Sequence, residues 1–405
     1  MDNTDAEMRI TTAVATTVQA ESLVDHLVDQ VRAGLAGQSV DLCLVFASAD
    51  FQERLDELAL ELHERLAPHT FAGTSAETVI AGGHEYEGQP ALAVWAAHMP
   101  GVHAQAFHLA VGDLPNVAAR DELLELVGAP LGGNPSFLLF ADPFSFNPPH
   151  LLNLLERLQE LYPGRPVLGG LASAAKEPGQ NRLLFEGQTL RHGLVGVALW
   201  GNLRVDTVVS QGCRPIGRHM VITRADQNII YELGGRSPLE VIKHLLIDSE
   251  PRDRRLLRER GLLVGCVINE YQKEFGQGDF LIRSLIGIDE KSGAMAVSDL
   301  IRTGQTVQFH VRDGDSAAED LAAMLTPMRE ARAAGALLFT CNGRGTQLFE
   351  DRHHDALAVQ RAGGNAPVAG FFCAGEIGPV GTHNFLHGHT ASIGFFRAAE
   401  SRSDG

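Results

Sequence analysis

Basic residues are scarce in this sequence: 33 lysines and arginines stand against 50 aspartates and glutamates, a formal net charge of −17. Such a surface repels a polyanion over most of its area, which argues against nucleic acid as a partner. The densest cationic run, Arg252 to Arg260, is interleaved with Asp253 and Glu259 and reads as a helix face. Long apolar runs are also missing. None approaches the roughly 18 residues of a membrane span, and Met1 to Glu7 is acidic where a secretory leader is basic. The expectation is a cytoplasmic chain with no membrane partner. Cysteine is thin and scattered: Cys43, Cys213, Cys266, Cys341 and Cys373 include no C-x-x-C pair. That argues against a disulfide framework or a zinc knuckle and predicts free thiols.

What is present is apolar content enough for a large core, 44% of 405 residues. At about 100–200 residues per domain, two or three domains are expected, with two as the working number. The polar run Asp248 to Arg260 marks the expected seam.

An internal repeat organises the chain. The apolar strand Leu42 to Phe46 is followed by leucines at helical spacing from Phe51 to Leu66 and then by Phe71 to Glu77. The same order recurs at Phe137 to Phe140, Pro148 to Leu161 and Val167 to Ala174. It recurs again at Leu337 to Phe339, His354 to Arg361 and Val368 to Ala374. In each copy a strand phenylalanine (Phe46, Phe140, Phe339) precedes a glycine (Gly73, Gly169, Gly370) by about 30 residues, one strand-helix-strand period. A further strand closes each copy, at Ala91 to Ala97, Gly193 to Trp200 and Ala391 to Phe396. Repeated strand-helix-strand-strand units predict a mixed α+β fold of layered mixed sheets flanked by helices, with a two-sheet sandwich as the simplest arrangement. Asp50 with Glu53, Asn147 before Pro148, and Ser237 with Pro238 and Glu240 read as helix caps; Asp226-Gln227-Asn228 reads as a turn.

Candidate site residues fall at the ends of the repeated strands, where open α/β sheets place ligands. Gly370 and its two counterparts permit close approach of a ligand or of a neighbouring backbone, with Ser75, Ser173 and Cys373 supplying small polar groups nearby. In Thr340-Cys341-Asn342-Gly343-Arg344-Gly345, Arg344 offers a rigid fork of donors to an anion, or a salt bridge to Glu350 or Asp351. No G-K-[ST] follows, so this is not a phosphate loop. Glu376, among small and apolar neighbours, suits a ligand amine; paired with Arg344 it would receive both ends of an amino acid. Cys373 or Cys341, with His383, His387 or His389 as base, is the catalytic alternative, and the histidines with Cys373 are a weaker metal alternative. Asp142 is either a turn initiator or a site residue. No metal or other cofactor is called for.

These pieces together resemble the FIST family (F-box and intracellular signal transduction proteins) over nearly the whole chain, which implies an N-terminal domain over 36–235 and a C-terminal domain over 236–400 after a tail or helix over 1–35. The most specific are Cys341-Asn342-Gly343-Arg344-Gly345, Gly370-Phe371 with Gly375-Glu376-Ile377-Gly378, and Asn384-Phe385-Leu386-His387 before Thr390. Gly73-Thr74-Ser75-Ala76 and Gly169-Gly170 with Ser173 match the less distinctive N-terminal half. Where the family pattern has an asparagine after the late histidine, this chain has Gly388-His389. The resemblance implies a sensory module for small ligands, amino acids or small carboxylates, with Asn342, Arg344, Gly345, Gly370, Cys373, Glu376, Asn384, His387, Ser75, Ser173 and Asp142 about the ligand. It implies an output carried by a separate signalling protein or a second copy, since no output module is expected in this chain. A cysteine-dependent enzyme acting on a small acyl or amine substrate is the competing reading.

Overall fold

In the computed structural model, residues 7–19, 22–113, 120–272, 274–330 and 332–399 are described. Met1 to Ala6, most of the acidic start, lie outside them. The described chain forms two compact units: residues up to 209 with 322–386 and 391 onward, and residues 210–321 with 387–390.

The first unit contains three copies of one arrangement, longer than the sequence suggests. The first runs β1 (Arg9–Ala15), α1 (Leu23–Gly34), β2 (Leu42–Ser48), α2 (Leu55–Leu66), β3 (Thr70–Ala76), a hairpin of β4 (Val79–Ala81) and β5 (His84–Glu85), and β6 (Leu92–His98). The second runs β7 (Val102–Leu109), α3 (Arg120–Val127), β8 (Ser136–Ala141), α4 (Pro148–Leu161), β9 (Val167–Leu171), the hairpin β10 (Leu183–Phe185) and β11 (Gln188–Leu190), and β12 (Leu194–Gly201). The third opens with β13 (Arg204–Gln211). Before it resumes, the chain builds β14 (Cys213–Asp226), β15 (Ile229–Leu233), α5 (Pro238–Asp248), α6 (Pro251–Arg260), β16 (Leu263–Val267), β17 (Phe280–Ile288), β18 (Met295–Val297) and β19 (Thr306–Arg312). It then continues with α7 (Gly314–Leu325), β20 (Gly335–Cys341), α8 (His354–Ala362), β21 (Val368–Cys373), the hairpin β22 (Glu376–Val380) and β23 (His383–His387), and β24 (Thr390–Arg397).

Each copy builds the middle of one sheet in the same order: β1-β6-β2-β3, β7-β12-β8-β9 and β13-β24-β20-β21. Each sheet is then completed by another copy's hairpin. β10–β11 joins β3, β22–β23 joins β9, and β4–β5 joins β21, a closed cycle of exchange. The mixed α+β class and the repeat hold, but the sandwich gives way to three sheets. The reason is the alternation of strand side chains. On β2, Cys43, Val45 and Ala47 pack with Leu55, Leu58 and Leu62 of α2, while Leu42, Leu44 and Phe46 enter a core shared by all three sheets. There the repeat phenylalanines meet: Phe46–Phe140, Phe140–Phe339 and Phe46–Phe339 centroids lie 5.7, 6.0 and 6.3 Å apart.

The three repeat glycines are equivalent in register, facing Val45, Leu139 and Leu338 on the parallel neighbour. A Cβ on Gly73, Gly169 or Gly370 would stand 1.9, 2.0 or 1.8 Å from that neighbour's carbonyl oxygen, and φ at Gly169 and Gly370 is +137° and +153°. Close approach of backbone to backbone is therefore what these positions require.

Asn147 caps α4 by accepting from His150 N, and Ser237 and Glu240 form a capping box on α5, as their sequences predict. The Asp50–Glu53 cap does not form: Ala49–Phe51 is a 3₁₀ turn, α2 begins at Leu55, and Asp50 instead accepts from the Ser48 hydroxyl. In the second unit β14-β15-β18-β17-β16-β19 close a barrel around Ile222, Ile230, Val264, Met295 and Phe309. The expected seam, Asp248 to Arg260, lies inside this unit, because Arg214 and Arg252 bind the buried Asp313 at 3.1 and 3.0 Å. Among the described residues no helix is long and apolar enough to cross a membrane.

Candidate functional site

At the C-terminal ends of β20 and β21 the loop after β20 meets the β4–β5 hairpin, and the two enclose a cavity of about 330 Å³. Its walls include Glu77, Glu85, Glu87, Asn342, Arg352 and His353. Three carboxyls and one exposed guanidinium make the lining acidic. Gly345 shapes the loop: its φ is +56°, and a Cβ there would lie 2.8 Å from the Glu87 carboxylate. That clearance lets Glu87 accept from Thr346 N at 3.1 Å and from the Thr346 hydroxyl at 2.7 Å.

Behind this wall lies a buried charge cluster. Arg344, 1% exposed, donates side-on to Asp355, Nε to Oδ2 at 2.6 Å and Nη2 to Oδ1 at 2.9 Å. Thr340 Oγ1 adds a bond to Asp355 Oδ2 at 3.0 Å, and His354 Nδ1 lies 3.0 Å from Oδ1. Burial alone would lower the Arg344 guanidinium, but Asp355 outweighs it and the net direction is up. Burial would likewise raise Asp355, yet Arg344 and His354 hold its carboxyl well below the usual carboxylate range. Glu85 Oε1 accepts from Ala356 N at 3.0 Å, while Oε2 is closed off from solvent with no hydrogen-bond partner among the described residues. Burial first, and Asp355 second, push the Glu85 carboxyl up to about 8. The Glu85 backbone N–H donates to His353 Nδ1 at 3.0 Å, and burial with neighbouring His84 pushes that imidazole down.

The expected site residues divide. Asn342 lines the cavity, its N–H donating to Cys373 O at 3.0 Å, and Gly345 turns the loop beside it. Arg344 is committed to Asp355 through Nε and Nη2 rather than to Glu350 or Asp351, and its Nη1 is buried with no hydrogen-bond partner among the described residues. Glu376 is fully buried on β22, opposite Gly170, and is close enough to raise Arg344 further. Neither Arg344 nor Glu376 lines the cavity, so the two do not stand as open ends of a zwitterion receptor. Cys373 is fully buried, and burial, then Glu376 and Cys341, raise its thiol well above the ordinary value, away from a thiolate. Cys341 is half-buried and accepts from Gly343 N at 3.4 Å.

The remaining candidates bind other parts of the first unit together. Ser75 Oγ accepts from Arg182 N; Ser173 Oγ donates to Phe372 O at 2.5 Å and accepts from Glu77 N, tying all three repeats at one point. In the sheet registers Cys373 matches Ala76 and Ala172, not Ser75 and Ser173. Asp142 is buried, accepting from Ser145 and Asn181. Asn384 accepts from Val167 N and donates to Arg165 O, pinning β23 to the start of β9. His387, buried, is counted with the second unit, where His389 Nε2 lies 3.5 Å from Ser284 Oγ. Glu85, Glu87, His353 and Asp355 escaped the sequence reading. The clustered charges of His84-Glu85-Tyr86-Glu87 and His353-His354-Asp355 were the available signal.

Two family models, FIST N domain over residues 41–236 and FIST C domain over residues 238–379, together match most of the chain. The chain belongs to the FIST family. FIST domains are sensory domains of signal transduction. The family boundary falls in the barrel unit, so the C-terminal family segment contributes to both compact units. The chain is 39% identical over 401 residues to an uncharacterized protein of Mycobacterium tuberculosis, covering 96% of this chain and 100% of that one. An uncharacterized protein of Mycobacterium bovis is 39% identical with 96% and 99% covered. Among solved structures, a cyanuric acid hydrolase from A. caulinodans covers 97% of this chain and 99% of its own at 8% identity and a TM-score of 0.38, a likeness too slight to carry an argument.

Proposed function

We propose that this FIST protein is a small-ligand receptor of signal transduction, and that its ligand site is the cavity between the β20 loop and the β4–β5 hairpin. The observation that carries the reading is the acidic lining: Glu77, Glu85 and Glu87 border a cavity of about 330 Å³. That volume falls within the range of about 300–1,000 Å³ typical of small-molecule sites. An ammonium group is the natural complement of that wall, and Arg352 at the rim complements a carboxylate, so an amino acid fits better than a simple carboxylate. Arg344 and Asp355 hold the loop from behind. In this reading the bound state passes to a separate signalling protein or to a second copy of the chain.

A thermal-shift screen of the amino acids tests it, with Glu87→Gln and Asn342→Ala alongside. A ligand at 100 times its Kd stabilises the folded state by about 2.7 kcal/mol, a readily measured shift. At least one amino acid is expected to raise Tm in the wild type and to lose most of that effect in Glu87→Gln. If no amine-bearing compound raises Tm, the reading fails.

A further inference from the structure

We infer that Glu85 is the proton-exchanging residue of this cavity: a ligand ammonium that enters displaces the proton from the Glu85 carboxyl, so that binding releases one proton. The inference rests on the reading of the cavity as a receptor for an amine. In balance, neutral Glu85 and R–NH₃⁺ become a carboxylate–ammonium pair, and the proton leaves to solvent.

The charges and hydrogen-bond partners around Glu85 do not balance if it is ionised. Glu85 and Asp355 meet at the first turn of α8, where Ala356 N donates to Glu85 Oε1. One buried guanidinium, Arg344, stands near both; its Nε and Nη2 are given to Asp355, and its Nη1, buried and with no hydrogen-bond partner among the described residues, does not reach Glu85 in a hydrogen bond. A single cation neutralises a single carboxylate, and geometry assigns it to Asp355. From its own segment Glu85 faces Glu87, a further negative charge, while the exposed His84 beside it on β5 packs its ring against His353, 4.8 Å between centroids. From the start of α8 it faces His353, whose Nδ1 accepts the Glu85 backbone N–H and so offers the carboxyl no proton from that atom. Glu85 Oε2, with no hydrogen-bond partner among the described residues, would be an unsolvated anion if ionised. Among the described residues no cation bonds to the Glu85 carboxyl: Arg344 is given to Asp355, and Arg352 stands exposed in the cavity wall, so the cavity offers Glu85 a place for a ligand cation. The upward displacement of its carboxyl, to about 8, agrees with this imbalance.

The test uses methylammonium as the minimal amine, with tetramethylammonium and sodium chloride as controls at matched ionic strength. The full chain carries a carbon-13 label at the glutamate carboxyl, and Glu85→Gln assigns the Glu85 signal while keeping an acceptor for Ala356 N. Saturating methylammonium is expected to move the Glu85 signal to its ionised position at pH 7. Its apparent Kd is expected to rise about tenfold per pH unit below the Glu85 midpoint in the wild type and to stay flat in Glu85→Gln. If methylammonium perturbs the Asn342 and Thr346 amides saturably while Glu85 stays protonated, the proton exchange is overturned and the receptor reading stands. If neither methylammonium nor any amino acid perturbs those amides, both are overturned.

Discussion

Arg344 and Asp355 meet side-on inside the first unit, Nε to Oδ2 at 2.6 Å and Nη2 to Oδ1 at 2.9 Å, and both are closed off from solvent. The pair locks the loop after β20 to the first turn of α8, and the cavity wall is the outer surface of that lock. Parallel hydrogen bonds and further donors satisfy the carboxylate, while Arg344 Nη1 has no hydrogen-bond partner among the described residues.

Breaking this pair leaves an unpartnered buried charge. Arg344→Ala and Asp355→Ala are each expected to cost about 3–5 kcal/mol in urea denaturation, while Arg344→Met with Asp355→Leu recovers a large part. Because Asp355 is held below its unfolded value, its contribution is present above about pH 4 and is lost as acid protonates it. Single variants within about 1 kcal/mol of wild type would show that the lock is not structural.

Glu85 has the opposite sign. Its carboxyl is raised from 4.5 to about 8, so the folded state is at its best below the unfolded value and loses stability as pH rises toward 8. Glu85→Gln is therefore expected to match wild type near pH 4.5, to become progressively more stable above it, and to keep a constant lead beyond pH 8. Denaturation midpoints across that range decide it; parallel curves contradict the buried, unpaired acid.

The repeat glycines make a matched set of three. Gly73→Ala, Gly169→Ala and Gly370→Ala each drive a methyl group to within 2.0 Å of a carbonyl oxygen. Each is expected to destabilise by about 2 kcal/mol or more, or to abolish soluble expression, irrespective of any ligand. An alanine variant of wild-type stability at any of the three would show that the paired strands can separate without cost.

Much of the fold was legible in the sequence because it is written in local periodicity. The leucines of α2 and α4 recur at helical spacing, the strands β2, β8 and β20 each carry a continuous apolar run, and Asn147 and Ser237 cap by short-range hydrogen bonds. The hairpins were not legible. β4 and β5 span three and two residues, too few for any period to show. The Asp50 cap failed for a related reason, since the 3₁₀ turn at Ala49–Phe51 moves the helix start beyond its reach.

The sequence by itself determined the family, the mixed α+β class, the threefold repetition and the positions of its phenylalanines and glycines. Each of these depends on residues within one repeat. Only the tertiary structure decided which groups share the site. Glu85 receives its hydrogen bond from Ala356, 271 residues away, because the first repeat lends its hairpin to the third repeat's sheet. That exchange places a second buried carboxyl beside a guanidinium already given to Asp355. No local pattern records the conflict, because charge balance in a low-dielectric interior depends on every group packed there.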